Sequence, residues 1–211
     1  MEVGFGVNAG SKPMSLSFVA AWLAVMFPLV FSPGPANVVF AASGAQLGVK
    51  RSLPLMAGID LVFVLKSLLV GFGLGAVMQE YPQCYSIMRT AGACYLFYLG
   101  YCFFRPALSR ETAQPKVLGF RDGLIIQLLN AKGWIMVVLM FSLFGAQGED
   151  ATERALWLAA MLALLNVCTH LAWIAAGAVL VKGLAGGLGQ QVQAFLFGGG
   201  LIVVGVWLLL G

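Results

Sequence analysis

The sequence predicts an all-α polytopic membrane protein with six transmembrane helices, the first of them broken at Pro33-Gly34-Pro35. Three observations carry this prediction. Of 211 residues, 61% are hydrophobic and only 9% charged, where a soluble domain carries about 25% charged residues. The apolar residues fall into six segments, each near the roughly 20 residues that cross a bilayer: approximately Ser15–Ala42, Leu53–Met78, Tyr85–Phe104, Leu124–Gly145, Ala155–Val181 and Val192–Leu210. Most of the basic residues sit in alternate connections between these segments.

The first segment contains Ser32-Pro33-Gly34-Pro35-Ala36-Asn37. A proline inside a helix removes an N–H and clashes with the carbonyl four residues back. Pro33 therefore frees the carbonyl of Leu29, and Pro35 that of Phe31. Hydrocarbon offers these groups no partner, so irregular backbone at membrane depth is tolerated only when buried in protein or bordering a wet cavity. Pro33, Gly34, Pro35 and Asn37 are accordingly candidates for lining a site.

The second segment carries Asp60 and Lys66. A charge at the bilayer centre costs about 2.5–3.5 kcal/mol on insertion scales. The two are six residues apart, about 240° around a helix, so each is expected to find partners on other helices; snorkelling is the alternative, easier for the long stem of Lys66. In the third segment, Gly92 and Gly100 are read as packing positions. The fourth carries Gln127 and Asn130 on one face, with Lys132 as a salt-bridge partner for Asp60 or a snorkelling cation. In the fifth, Asn166 and His170 share a face; His170, the single histidine, is either a proton carrier or an interhelical hydrogen-bonding group. The glycines of the sixth suit close helix packing.

Loops one, three and five hold Lys50, Arg51, Arg105, Arg110, Lys116, Arg121 and Lys182, against Lys12, Arg89 and Arg154 on the other side. The positive-inside rule places those loops in the cytoplasm and both termini outside. Three spans per half would make two homologous halves insert with opposite orientation, a 3+3 inverted repeat. Residues 1–13 read as a polar N-terminal extension, with Met14 a natural start, and residues 14–211 as one transmembrane domain. The four cysteines lack C-x-x-C spacing, and a single histidine does not make a zinc site. No Walker A pattern occurs, and the scattered basic residues do not suit nucleic acid. No cofactor is expected.

Further stretches carry a resemblance. Phe31-Ser-Pro-Gly-Pro-Ala-Asn37, Ser43-Gly44, Gly48-Val-Lys-Arg51 and Leu53-Pro-Leu-Met-Ala-Gly58 resemble the opening of the lysine-exporter (LysE/RhtB) family of bacterial inner-membrane amino-acid effluxers. Ala91 to Gly100, Gly119 to Gly123 and Leu128-Leu-Asn-Ala-Lys132 resemble its third and fourth helices. Ala36 is inserted before Asn37, Ala131 stands where proline is common, and Asp60 and Lys66 replace residues usually small or apolar in the family. The resemblance implies a multi-pass inner-membrane secondary exporter of an amino acid or related small zwitterion. As a hypothesis, substrate would bind near the membrane midplane among Pro33, Gly34, Pro35, Asn37, Asp60, Lys66, Asn130, Lys132, Asn166 and His170, with a proton exchanged at Asp60 or His170. A homo-oligomer is compatible with this reading. The alternatives are a membrane-embedded enzyme, against which the lack of a His/Asp/Glu cluster speaks, and a small helical scaffold or accessory subunit with no wet cavity.

Overall fold

The structure, a computed structural model, describes residues 15–74, 82–108, 117–146, 151–182, 192 and 194–210; the N-terminal extension and residues 109–116 of the third, basic loop lie outside them. The described residues form seven α-helices: α1 Leu16–Phe31, α2 Pro35–Leu69, α3 Pro82–Leu108, α4 Phe120–Leu128, α5 Ala131–Phe144, α6 Ala151–Lys182 and α7 Gly199–Leu210. Single π-helical turns follow α2 at Val70–Leu74 and precede α7 at Ala194–Gly198.

Among the described residues, two helices are long and apolar enough to cross a membrane, Pro35–Gly73 and Ala151–Leu180. The pair α4–α5, bent by 63°, makes a third if counted as one span. Leu16–Phe31 and Phe195–Val206 are shorter apolar helices.

Helix α1 starts where Ser15 accepts a hydrogen bond from the Phe18 N–H at 3.2 Å, satisfying one of the orphan donors of a first turn. Its buried residues Phe18, Trp22, Met26 and Val30 recur every fourth position and so form one stripe. That stripe packs against Val137, Met140 and Phe144 of α5 and Leu158 and Leu162 of α6. Helix α2 opens with Pro35 at its first position, where the missing N–H has no partner to lose.

The first two apolar segments are joined differently from the glycine–basic loop expected. Helix continues past Ala42, and the direction changes at one residue, Gly48, with φ 71° and ψ 176°. This left-handed conformation suits glycine alone without strain. Ser43 and Ser52, on either side of the turn, are joined at 2.8 Å, and Ser52 donates to the Gly48 carbonyl at 2.9 Å.

Two crossings bring helix backbones into direct contact. A Cβ on Gly44 would lie 2.0 Å from the Ile174 carbonyl oxygen, and one on Gly177 would lie 1.9 Å from that of Ala41. A Cβ on Gly58 would lie 2.2 Å from the Phe120 carbonyl oxygen, and one on Gly123 would lie 2.4 Å from that of Leu55. Each crossing is reciprocal: every helix gives a glycine and, three residues before it, the carbonyl that its partner's glycine admits. The first joins α2 to α6 and the second joins α2 to α4, so α2 is the hub. Side chains fill the rest as two clusters. One centres on Val39, Phe40, Leu55, Ile59, Leu99, Ile174 and Leu201. The other centres on Trp22, Met26, Val137, Met140, Leu158 and Leu162.

Gly44→Ala and Gly58→Ala are expected to cost about 1–3 kcal/mol each by overpacking, read as a lowered unfolding temperature in detergent. Gly199→Ala, with open space around the added methyl, should be neutral or slightly stabilising. Equal unfolding temperatures for Gly44→Ala and Gly199→Ala would rule out the backbone contact.

Candidate functional site

Two interruptions of the helical backbone face each other. The first lies between α1 and α2. Gly34 is extended there (φ −170°, ψ 177°), a conformation open to any residue, so its lack of a side chain serves space: a Cβ would meet Lys132 Cδ at 3.0 Å and Nζ at 3.2 Å. The carbonyls stripped of helical partners are satisfied individually. Leu29 O accepts from Ser32 Oγ at 2.9 Å, and Phe31 O from Trp173 Nε1 at 3.2 Å. Asn37 Nδ2 donates to both Val30 O and Ser32 O at 2.9 Å. Lys132 Nζ donates to Ser32 O and Ser32 Oγ at 2.8 Å, with Pro33 O at 3.5 Å.

The second interruption lies between α4 and α5. Asn130 (φ −77°, ψ 95°) caps α5 by accepting from the Gly133 N–H at 3.2 Å. Its Nδ2 donates to Gln127 Oε1 at 2.9 Å. Trp134 Nε1 donates to Leu128 O at 3.1 Å. Lys66 Nζ donates to Gln127 O, and to Asn130 O at 3.4 Å, and lies 4.4 Å from the Trp134 ring centroid. Carbonyls at a helix C-terminus carry partial negative charge, so each lysine sits where the backbone favours a cation.

Between the interruptions lies a cavity of about 20 Å³, enough for a water molecule. Ala36 of one core cluster and Val30, Phe63 and Met136 of the other form its apolar wall. Its polar wall holds Asn37, Asn130, Lys132, Asn166 and His170. Of the ten residues singled out from sequence, seven line this cavity: Gly34, Pro35, Asn37, Asn130, Lys132, Asn166 and His170. Pro33 is exposed and contributes only its carbonyl.

Asp60 stands behind His170: its Oδ1 is 2.6 Å from His170 Nδ1, and its buried Oδ2 has no partner. His170 also packs on the Phe40 ring, with centroids 4.4 Å apart. Asn166, one turn away, is buried with neither amide atom bonded.

Two sequence expectations need correction. Lys132 neither pairs with Asp60 nor snorkels; the Ser32 carbonyl and hydroxyl hold it, while His170 occupies Asp60. Lys66 does not snorkel either, being 1% exposed. His170 does make an interhelical hydrogen bond, to Asp60. The sequence reading also missed Ser32, Trp134 and Trp173 as partners of the interrupted backbone. The Leu29 and Phe31 carbonyls freed by the two prolines signalled that such donors were needed, without saying which.

An all-helical membrane protein with two helix interruptions around a small polar cavity has the architecture of a solute translocator. The chain belongs to the LysE type translocator family, whose sequence profile matches residues 27–211. It is similar to a cysteine/O-acetylserine efflux protein of Salmonella typhimurium, 26% identical over 168 residues that cover 78% of this chain and 83% of that protein. It is also similar to a cysteine/O-acetylserine efflux protein of Escherichia coli O139:H28, 23% identical over 167 residues (78% and 84%). An uncharacterized membrane protein of Vibrio cholerae is 29% identical over 136 residues (60% and 65%). No solved structure matches significantly.

Asn37→Ala would strand the buried Val30 carbonyl, at about 1–3 kcal/mol. Its unfolding temperature should fall well below that of Ser142→Ala, which removes only an exposed bond to Val138 O in the same helix.

Proposed function

We propose that the protein is a secondary active exporter of a small amino acid or related zwitterion in the bacterial inner membrane. The observation that carries this reading is the cavity itself. The C-terminal end of α1, the N-termini of α2 and α5, a lysine ammonium and an unpartnered amide converge on it. A zwitterion needs opposite charges recognised a few ångströms apart. The N–H groups of the first turn of α2 and the Lys132 ammonium suit its carboxylate. The Ser32 and Pro33 carbonyls and Asn166 Oδ1 suit its ammonium. The efflux names of the Salmonella and Escherichia relatives point to cysteine and O-acetylserine as the first substrates to test.

The cavity, about 20 Å³ and not fully enclosed, is small for an amino acid, so binding would widen it, which supports alternating access. In the proposed architecture, α1 and the first part of α2 form one broken span and α4–α5 another. Each is followed by two further spans, giving six in a 3+3 inverted repeat with both termini outside. Coupling would run through Asp60 or His170: the two are hydrogen-bonded at 2.6 Å, and His170 lines the cavity while Asp60 lies behind it. The scaffold alternative predicts a dry interface and gives no reason for a buried, unpartnered Asn166 at a cavity.

The test is efflux from loaded proteoliposomes against a panel including cysteine, O-acetylserine, serine and lysine, with and without a pH gradient. Wild type is expected to release a small polar amino acid faster with the gradient. Asp60→Asn should abolish the gradient's effect, and Lys132→Met should raise KM roughly tenfold or more, the scale of a charge-assisted hydrogen bond. No flux for any zwitterion defeats the exporter reading; gradient-driven flux in Asp60→Asn removes that residue from coupling.

A further inference from the structure

Each interrupted span ends in carbonyls that hold a lysine from a different helix, but the two lysines are not equivalent. Lys132 is half-buried and lines the cavity, within reach of a solute. Lys66 is 1% exposed, does not line the cavity, and spends its ammonium on the end of α4. Among the described residues no carboxylate pairs with it, since Asp60, six positions earlier in the same helix, is turned to His170. Its ammonium meets the Gln127 carbonyl in the last turn of α4, the Asn130 carbonyl, which also accepts the Trp134 N–H at the start of α5, and the face of Trp134. Carbonyl oxygens at a helix C-terminus and an aromatic face are groups that bind a bare monovalent cation. A positive charge at this depth without an acidic partner is costly unless something needs it there.

We propose that the Lys66 ammonium is a built-in cation. It fills, from its own chain, a monovalent-cation site formed by the Gln127 and Asn130 carbonyls and the Trp134 ring, and so closes the α4–α5 interruption without a mobile metal ion. Because Asn130 belongs both to this site and to the cavity wall, the tethered cation sets the geometry of the polar wall. Lys66 is thus a positioning residue, and the protein needs no sodium to assemble its cavity. The flux arm below rests on the exporter reading; the stability arm does not, so the two can fail separately.

The experiment compares the full-length wild type with Lys66→Ala in sodium, n-propylammonium and choline chloride at equal ionic strength, by unfolding temperature in detergent and by efflux from proteoliposomes. Wild type is expected to give the same unfolding temperature and flux in all three salts. Lys66→Ala should be destabilised in choline, with flux down roughly tenfold or more. Sodium or propylammonium should restore both in a saturable way, because the truncation leaves the carbonyls and ring open to them. Lys66→Met keeps most of the stem and lacks the charge, so it should stay impaired in choline. Four results would overturn the inference: sodium-dependent flux or unfolding temperature in wild type, Lys66→Ala that no cation restores, Lys66→Met behaving as wild type in choline, or Lys66→Ala undiminished. Restored stability without flux from any variant or wild type would keep the cation site and count against the exporter reading.

Discussion

The structure depends on one constraint: a backbone carbonyl released from a helix inside a membrane protein must find a donor within the protein. The helical backbone is interrupted between Phe31 and Pro35 and between Leu128 and Ala131, and nearly every polar residue in the centre answers to that fact. Ser32, Asn37, Lys132 and Trp173 serve the end of α1. Lys66 and Trp134 serve the end of α4, and Asn130 caps the start of α5. The donors come from α2, α5 and α6 as well as from the interruption itself, so satisfying the backbone also ties the bundle together. The exceptions then stand out. Asn166, one oxygen of Asp60 and the Gln127 amide nitrogen remain without partners.

In the proposed function, satisfaction of the backbone and recognition of a zwitterion draw on the same groups. The carbonyls that suit an ammonium are held by Lys132, and the donors that suit a carboxylate are the first N–H groups of α2, which a helix always leaves open. The cavity is bordered by the Lys132 ammonium, which the Ser32 carbonyl and hydroxyl hold. Close to this centre, the glycine crossings of α2 with α4 and α6 leave no side chain between backbones, so nothing there can repack to absorb a movement. Flexibility must be sought elsewhere along the helices.

Much of this was legible in the residues, and what was not has a physical reason. The break at Pro33–Pro35 announces itself, because proline cannot continue the hydrogen-bond ladder, and both carbonyls it was expected to free do take side-chain donors. The break at Leu129–Asn130 does not announce itself: Ala131 stands at the first position of α5, and only an asparagine cap with a glycine three residues on marks the start. The charges in α2 were recognisable as buried and in need of partners. Their identities, Asp60 to His170 and Lys66 to the α4 carbonyls, depend on contacts 110, 61 and 64 residues away, which no local pattern encodes. Gly48 looked like a loop residue because its basic neighbours looked like loop residues; it is a one-residue turn within otherwise continuous helix. The cavity could be inferred as a need, but its size and its small membership could not.

The remoteness of those partners bears on how the chain is made. The segment carrying Asp60 and Lys66 leaves the ribosome long before Gln127, Asn130 and His170 exist. At roughly 5–20 residues per second, the wait for His170 is on the order of 5–20 s. During that interval two uncompensated charges sit in a helix that the translocon must either release into lipid or retain beside its aqueous channel. Retention until the later helices arrive costs less than exposing both charges to hydrocarbon. Biogenesis of this protein is thus a matter of timing, in which an early helix is completed by late ones.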